Sequence, residues 1–202
     1  MNSFESKIIE AIQSAGTKFL DGFFRIITHL GSSWSVIVIA ALFVLIFGLR
    51  GTTRYLFILG VTSLCGTLIK LITARPRPYI FSAEIHAGTN ASGYSFISGH
   101  TLMMIITALS IYFMIARILR DTKTADDPAN KKKQKRNIWI KICLFTGLTM
   151  LTLLVGFSRI YLGVHYISDV IFAILLGFVC YYVFALVYDK YLERLIFKKG
   201  AK

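Results

Sequence analysis

Five apolar runs dominate this chain and limit what it can fold into. Residues 34–49, 55–72, 101–116, 138–157 and 170–188 each carry at most one charged side chain. A run of that length and polarity reads as a membrane span, and inside a bilayer the backbone must satisfy its own hydrogen bonds, which leaves the α-helix. The shortest run rises about 24 Å as a helix, a little under a hydrocarbon core of ~30 Å, and flanking polar side chains can snorkel to close the gap. Composition agrees: 55% of the 202 residues are hydrophobic and 16% are charged, against about 25% charged in soluble domains. The expected fold is an all-α integral membrane bundle of about five spans, forming one domain over residues 1–202.

The first 30 residues have a different character. Ile8, Ile12, Phe19, Leu20, Phe23, Phe24 and Ile27 recur at helical spacing, with Lys7, Glu10, Lys18 and Asp21 between them. The pattern lacks the basic region and uninterrupted apolar stretch of a signal peptide. It predicts an amphipathic helix, or two broken near Gly16 and Gly22, lying in the membrane interface.

Charge sets the orientation. Net charge is +13, but the basic residues sit at the ends of apolar runs rather than along a binding stripe, so nucleic acid is not an expected partner. Arg50 and Arg54 lie in a short turn. Nine more lie between Arg117 and Lys141, around a basic loop at 118–137 where Pro128 and Asn130 break the helical pattern. Five lie between Lys190 and Lys202. These 16 of 23 basic residues fall on one side, which the positive-inside rule makes cytoplasmic. The C-terminus is then cytoplasmic, the N-terminal helix lies on the outer leaflet, and the chain is multi-pass in the cell membrane. Cys65, Cys143 and Cys180 lie inside apolar runs and read as small packing residues.

Lys70, Arg75, Arg77 and Arg159 remain near span ends on the outer side. Pro76 and Pro78 should take Arg77 out of the helix and over the membrane surface. A loop at 79–97, rich in Ser, Gly and Asn, leads into Ser98, Gly99 and His100 at the start of the third span, where free N–H groups suit an anion. Arg159 and His165 flank a turn, and Asp169 follows four residues later, where its carboxylate can hold one imidazole nitrogen and leave the other as a nucleophile. Each residue alone has a plain reading: a snorkelling arginine, an interfacial histidine, Tyr161 and Tyr166 in the aromatic belt. Three distant segments that all bring cations or histidine to one face argue for a phosphate site.

These residues resemble the type 2 phosphatidic acid phosphatase superfamily of membrane lipid phosphate phosphatases. Its first motif, lysine, six residues, Arg-Pro, matches Lys70 to Arg77-Pro78. Its second, Pro-Ser-Gly-His, matches Ser98-Gly99-His100 with Ile97 in place of proline, which predicts a looser loop. Its third, Ser-Arg, five residues, His, three residues, Asp, matches Ser158-Arg159, His165 and Asp169. The resemblance implies a phosphohydrolase in which His165 attacks phosphorus, Asp169 orients it, and His100 protonates the leaving oxygen and then activates water. Lys70, Arg77, Ser98, Gly99 and Arg159 would hold the phosphate. No metal or other cofactor is expected, since three cations balance the charge.

A lipid phosphate, with its tail among the spans, is the expected substrate, and no obligate protein partner is inferred. The resemblance implies undecaprenyl diphosphate, phosphatidylglycerol phosphate, phosphatidic acid or a lipid A phosphate, and the small, bacterial-looking size favours the first two. Two rivals differ in class. A metal-dependent phosphatase would draw on His86, Glu84 and the same histidines, but the loops between spans offer only Glu84 and Asp169 as carboxylates, and two-metal sites need several. A lipid-phosphate binder or transporter would not need both histidines and the aspartate.

Overall fold

The protein was analysed as a computed structural model, which describes residues 3–120 and 128–197. Every regular element among them is helical: α1 (Ser3–Ser14), α2 (Lys18–Thr28), α3 (Ser33–Thr73), α4 (Pro78–Phe81), α5 (Gly99–Ile118), α6 (Pro128–Tyr161), α7 (Ile167–Val187) and α8 (Glu193–Phe197). A 3-10 turn, His29–Gly31, joins α2 to α3, and a π-turn, Tyr188–Leu192, joins α7 to α8.

Four of these helices are long and apolar enough to cross a membrane. One of them, α3, doubles back on itself and so supplies two apolar legs. Gly48 adopts φ 67°, which an L side chain resists and glycine accepts. The helix turns back there, because the rings of Phe43 and Tyr55 stack with centroids 4.6 Å apart, whereas a straight helix would separate them by about 18 Å. The sequence expectation of a loop at 48–54 is corrected: the reversal is made at Gly48, and Arg50 and Arg54 already lie in the second leg. Arg54 is held there by Asp189, Nε to Oδ1 at 2.8 Å and Nη2 to Oδ2 at 3.2 Å.

Helix α5 is the central post, packed against α3, α6 and α7. Phe43, Tyr55, Ile58, Ile105, Ile106, Leu109 and Tyr181 form the core at this crossing. Tyr55 is buried but satisfied, with its hydroxyl 3.0 Å from Thr107 Oγ1. The outward faces of α3, α6 and α7 expose large apolar side chains such as Leu45, Ile72, Met150 and Leu186, as lipid contact requires.

The ends of the bundle differ. The end of α3 and the starts of α5 and α7 meet at one of them. At the other lie the Gly48 reversal, the end of α5 and the end of α7. The basic segment is also corrected in part: Pro128 opens α6 instead of breaking it, so Lys131–Arg136 is helical. Proline suits a first turn, where no N–H is needed. Residues 121–127 of the basic loop lie outside the described residues.

The N-terminal segment is two helices, as one reading allowed, but the break falls at residues 15–17 and Gly22 is helical. Thr17 caps α2 by accepting from Leu20 N. The segment packs on the bundle through one face. Glu5, Ser6 and Ile9 of α1 are buried, with Ile9 packed on Ile85, Ile160, Tyr166 and Val170. Phe24 of α2 packs on Tyr161, Leu162 and Val164. Both helices therefore cover the end of the bundle where α3, α5 and α7 meet.

Candidate active site

The α3 helix ends because Ala74 takes a left-handed conformation, φ 43°, and its N–H closes on Lys70 O at 3.1 Å. Residues 75–77 then leave the helix, with Arg77 extended as a residue before proline tends to be, and Pro78 opens α4. This places Lys70 in the last turn of the helix, with Arg77 folded back over the bundle end. Arg77 is 4% exposed. It donates Nε to Gly93 O at 3.0 Å, Nη2 to Ser92 O at 2.8 Å and Nη1 to Val164 O at 2.9 Å.

The last turn of α6 delivers Arg159, also buried. Its Nη1 donates to Thr28 Oγ1 at 2.6 Å, and its Nε has no partner. An unpaired, buried guanidinium N–H is costly unless something anionic completes it. The Arg159 carbonyl accepts from both Val164 N and His165 N at 3.2 Å, which turns the chain tightly into His165.

His165 is 2% exposed and sits just before α7. Its Nδ1 lies 3.3 Å from Asp169 Oδ2, and its Nε2 lies 3.5 Å from Arg77 Nη1. A carboxylate only accepts and a guanidinium only donates, so Nδ1 carries the proton and Nε2 the lone pair. Burial pushes the His165 pKa down; the Asp169 contact opposes this, and Arg159 and Arg77 reinforce it. The imidazole is therefore neutral near pH 7, the state of a nucleophile. Asp169 is fully buried in the first turn of α7. It also accepts from Tyr166 N at 2.9 Å, from Arg75 Nη1 at 2.6 Å and from Ser95 Oγ in a short contact.

Ser98, Gly99 and His100 arrive from the start of α5. Ser98 does not cap that helix with its side chain; its Oγ pairs with Thr101 Oγ1 at 2.9 Å and its N–H donates to Asp169 O at 3.2 Å. The Gly99 N–H opens the helix and is one of its free first-turn donors. The His100 ring lies within electrostatic reach of Arg159, His165, His29 and Lys70, and Lys70 within reach of Arg77, Asp169 and Arg159. Among the described residues, neither the His100 ring nor the Lys70 ammonium makes a hydrogen bond. All eight site residues expected from the sequence thus converge, with three cations and two imidazoles around one buried carboxylate.

Other expectations change. Ile97, which stands where the motif has proline, is 2% exposed and packs with Leu102 and Ala173. Tyr161 and Tyr166 are buried here and are not belt residues; Tyr161 donates to Asp21 and Tyr166 lies beneath Arg75, 3.8 Å from its guanidinium carbon. His86 and Glu84 line a cavity of about 870 Å³ against α1 and α2, shared with Lys7, Gln13 and Arg25, none of them a residue of the cluster. No group of three or more His, Cys, Asp or Glu side chains placed to hold a metal occurs among the described residues. The partners that sequence reasoning missed are Glu5, Thr28, Ser95 and Ser168, which carry no motif, and the role of Arg75, whose charge was visible but whose direction was not.

Comparison with known proteins gives the chain a family and a fold. The chain is 32% identical over 173 residues to a lipid A 4'-phosphatase of Porphyromonas gingivalis, covering 79% of this chain and 62% of that protein. It is 31% identical over 160 residues to phosphatidylglycerophosphatase B of Bacillus subtilis, covering 77% and 69%. The chain thus spans less than two thirds of the length of the first of these relatives. The fold matches the crystal structure of a transmembrane PAP2 type phosphatidylglycerolphosphate phosphatase from Bacillus subtilis, with TM-score 0.72, 23% identity, and coverage of 94% of this chain and 86% of that one. It also matches LpxE of Aquifex aeolicus, with TM-score 0.66, 22% identity, and coverage of 90% and 94%. A profile of the PAP2 superfamily matches residues 51–193, which include every residue of the converged cluster, and the chain belongs to that superfamily.

Proposed function

We propose that this protein is a membrane phosphatase that removes phosphate from a lipid phosphate or diphosphate through a phosphohistidine. The observation that carries the reading is the division of labour on His165: Nδ1 faces Asp169 and Nε2 faces the cationic cluster. Nε2 attacks phosphorus in line as the bond to the leaving oxygen breaks, and His100 gives that oxygen its proton. Asp169 stabilises the imidazolium that develops. Arg77, Arg159 and Lys70 hold the equatorial oxygens, joined by Ser98 and the Gly99 N–H. His100, now a base, then takes a proton from water, whose oxygen attacks phosphorus and frees His165. Three cations supply the charge balance that a metal would otherwise provide.

Both relatives are named for removal of phosphate from a lipid, which supports a lipid substrate here. Undecaprenyl diphosphate and phosphatidylglycerol phosphate are the favoured substrates. The site faces the extracytoplasmic side, because Arg50, Arg54, Arg117 and the basic start of α6 lie at the opposite end. Residues 1–202 act as one domain.

The test is phosphate release by the purified protein, with EDTA present, from those two lipids, phosphatidic acid and a lipid A phosphate. Release from at least one, lost in His165→Ala together with any trapped phosphoenzyme, is expected. Full activity in His165→Ala would sink the mechanism. Activity abolished by EDTA and restored by a divalent ion would favour the metal route, and binding without release would favour a carrier.

A further inference from the structure

Helix α1 reaches the buried end of the bundle with one acid. Glu5 is 8% exposed overall. Its Oε1 accepts from Ser168 N at 2.8 Å, and its Oε2 accepts from Arg75 Nη2 at 2.8 Å and from Ser168 Oγ at 3.2 Å. The other end of the Arg75 fork donates to Asp169 Oδ1 at 2.6 Å and to Ser168 Oγ at 2.7 Å. The same guanidinium lies over the Tyr166 ring, its carbon 3.8 Å from the ring centroid. One arginine thus bridges two carboxylates, one from α1 and one from the His165 dyad, while Glu5 also caps the first turn of α7. Burial opposes the charge on Glu5, but the Ser168 and Arg75 contacts outweigh it and hold its pKa below the ordinary value. The pair is therefore ionised at neutral pH.

We propose that Glu5 and Arg75 are positioning residues: they clamp Asp169 from the side opposite His165, so that α1 is part of the catalytic apparatus. The inference rests on His165 and Asp169 acting as proposed above. The geometry explains why Arg75 is an arginine. Its planar fork satisfies Asp169 and Glu5 at once, which a lysine point charge cannot do. With Oδ1 taken by Arg75, Asp169 has Oδ2 left for His165 and cannot rotate away. The clamp also sets the field on the dyad. Arg75 places a positive charge beside Asp169, and Glu5 offsets part of that charge.

The two residues should therefore act in opposite directions on His165. Arg75→Gln removes a cation near the dyad, so the imidazolium becomes easier to form and the His165 pKa rises. Glu5→Gln leaves the Arg75 charge uncompensated, so that pKa falls. The other charges facing His165 are Arg77 from the segment after α3, His100 from α5, Arg159 from α6 and Asp169 from α7, and neither substitution removes any of them.

The experiment uses the full chain in detergent. Rates are measured against pH on whichever lipid phosphate of the panel the protein cleaves, and the His165 ring is titrated by NMR, assigned with His165→Ala. Both glutamine variants should lose at least about tenfold in kcat with KM changed less than about twofold. The acid limb and the NMR titration should move up in Arg75→Gln and down in Glu5→Gln. Arg75→Lys, which keeps the charge but not the fork, should lose rate with the acid limb unmoved. Lys7→Gln, on the exposed face of α1, should match the parent protein. Unchanged kcat and titration in both glutamine variants would overturn the clamp, as would shifts of the same sign in both. If the parent protein cleaves no lipid, the proposed function fails, yet the NMR titration still decides whether Glu5 and Arg75 act on His165.

Discussion

His165 and Asp169 lie one helical turn apart, with Nδ1 3.3 Å from Oδ2, yet only Asp169 belongs to α7. The imidazole is carried on the turn before the helix and the carboxylate in its first turn. The helix start therefore fixes the dyad, and Asp169 closes that start by accepting from Tyr166 N.

Asp169→Asn tests how much depends on that carboxylate. The aspartate accepts from His165, Arg75, Ser95 and Tyr166 N. Asparagine has one acceptor oxygen, and its amide would point donors at donors. Turnover should fall by about 10³–10⁴, the scale for loss of an orienting carboxylate in a triad. Folding stability should fall by about 3 kcal/mol, since Arg75 loses a buried counter-charge. Steady-state kinetics and thermal unfolding in detergent report the two effects. Wild-type turnover in Asp169→Asn would remove the residue from the mechanism.

Arg159 makes a binding prediction. Its buried Nε has no partner, while Nη1 is held by Thr28. An oxyanion in the site should complete it, so orthovanadate or phosphate should raise Tm. At a hundred times its Kd the stabilisation is about 2.7 kcal/mol by linkage. Arg159→Gln should lose most of the shift. An equal shift in that variant would show that the anion binds elsewhere.

The spans and the eight candidate site residues were legible in the sequence for a physical reason: both are local patterns. Apolar length reports a helix in lipid, and fixed spacings place groups on neighbouring turns. What it hid is tertiary. Nothing local marks Glu5: it lies one turn before Ile9 on the face of α1 that packs on the bundle, and the pattern gives no sign that Arg75 and Ser168 meet it there. Thr28 and Ser95 are ordinary residues until the fold brings them to Arg159 and Asp169. The reversal at Gly48 was legible only as a loop, because glycine signals a break without saying how sharp it is.

The depressed His165 pKa fixes the sign of the pH dependence. Burial, its largest cause, disfavours the imidazolium. The folded pKa therefore lies below the ordinary histidine value of about 6.5. The acid limb of kcat/KM, which reports the free enzyme, should lie below that value, with activity flat above it until the next group titrates. Stability follows the same window. The unfolded state binds the extra proton first as pH falls, so the His165 contribution is present above the unfolded pKa and is lost as pH drops towards the folded one. Rate profiles at saturating and limiting substrate check the first point, and Tm against pH checks the second. An acid limb above the ordinary histidine value would contradict a neutral His165.

Gly31 tests whether the N-terminal helices position the other imidazole. It closes the turn between α2 and α3, and a Cβ built on it would sit 2.6 Å from His100 O and 2.9 Å from His100 Cβ. The backbone of α5 cannot yield as a flexible side chain would, so Gly31→Ala must push the start of that helix away. Overpacking of this kind costs about 2 kcal/mol. Tm should fall, and kcat should fall further than stability alone explains, because His100 moves relative to His165. Gly22 provides the contrast. It lies inside α2 with nothing within 4 Å of its Cβ position, so Gly22→Ala gains helix propensity of about 0.8 kcal/mol and should raise Tm at unchanged rate. If both alanines behaved alike, the contact between Gly31 and His100 would have no part in setting the site.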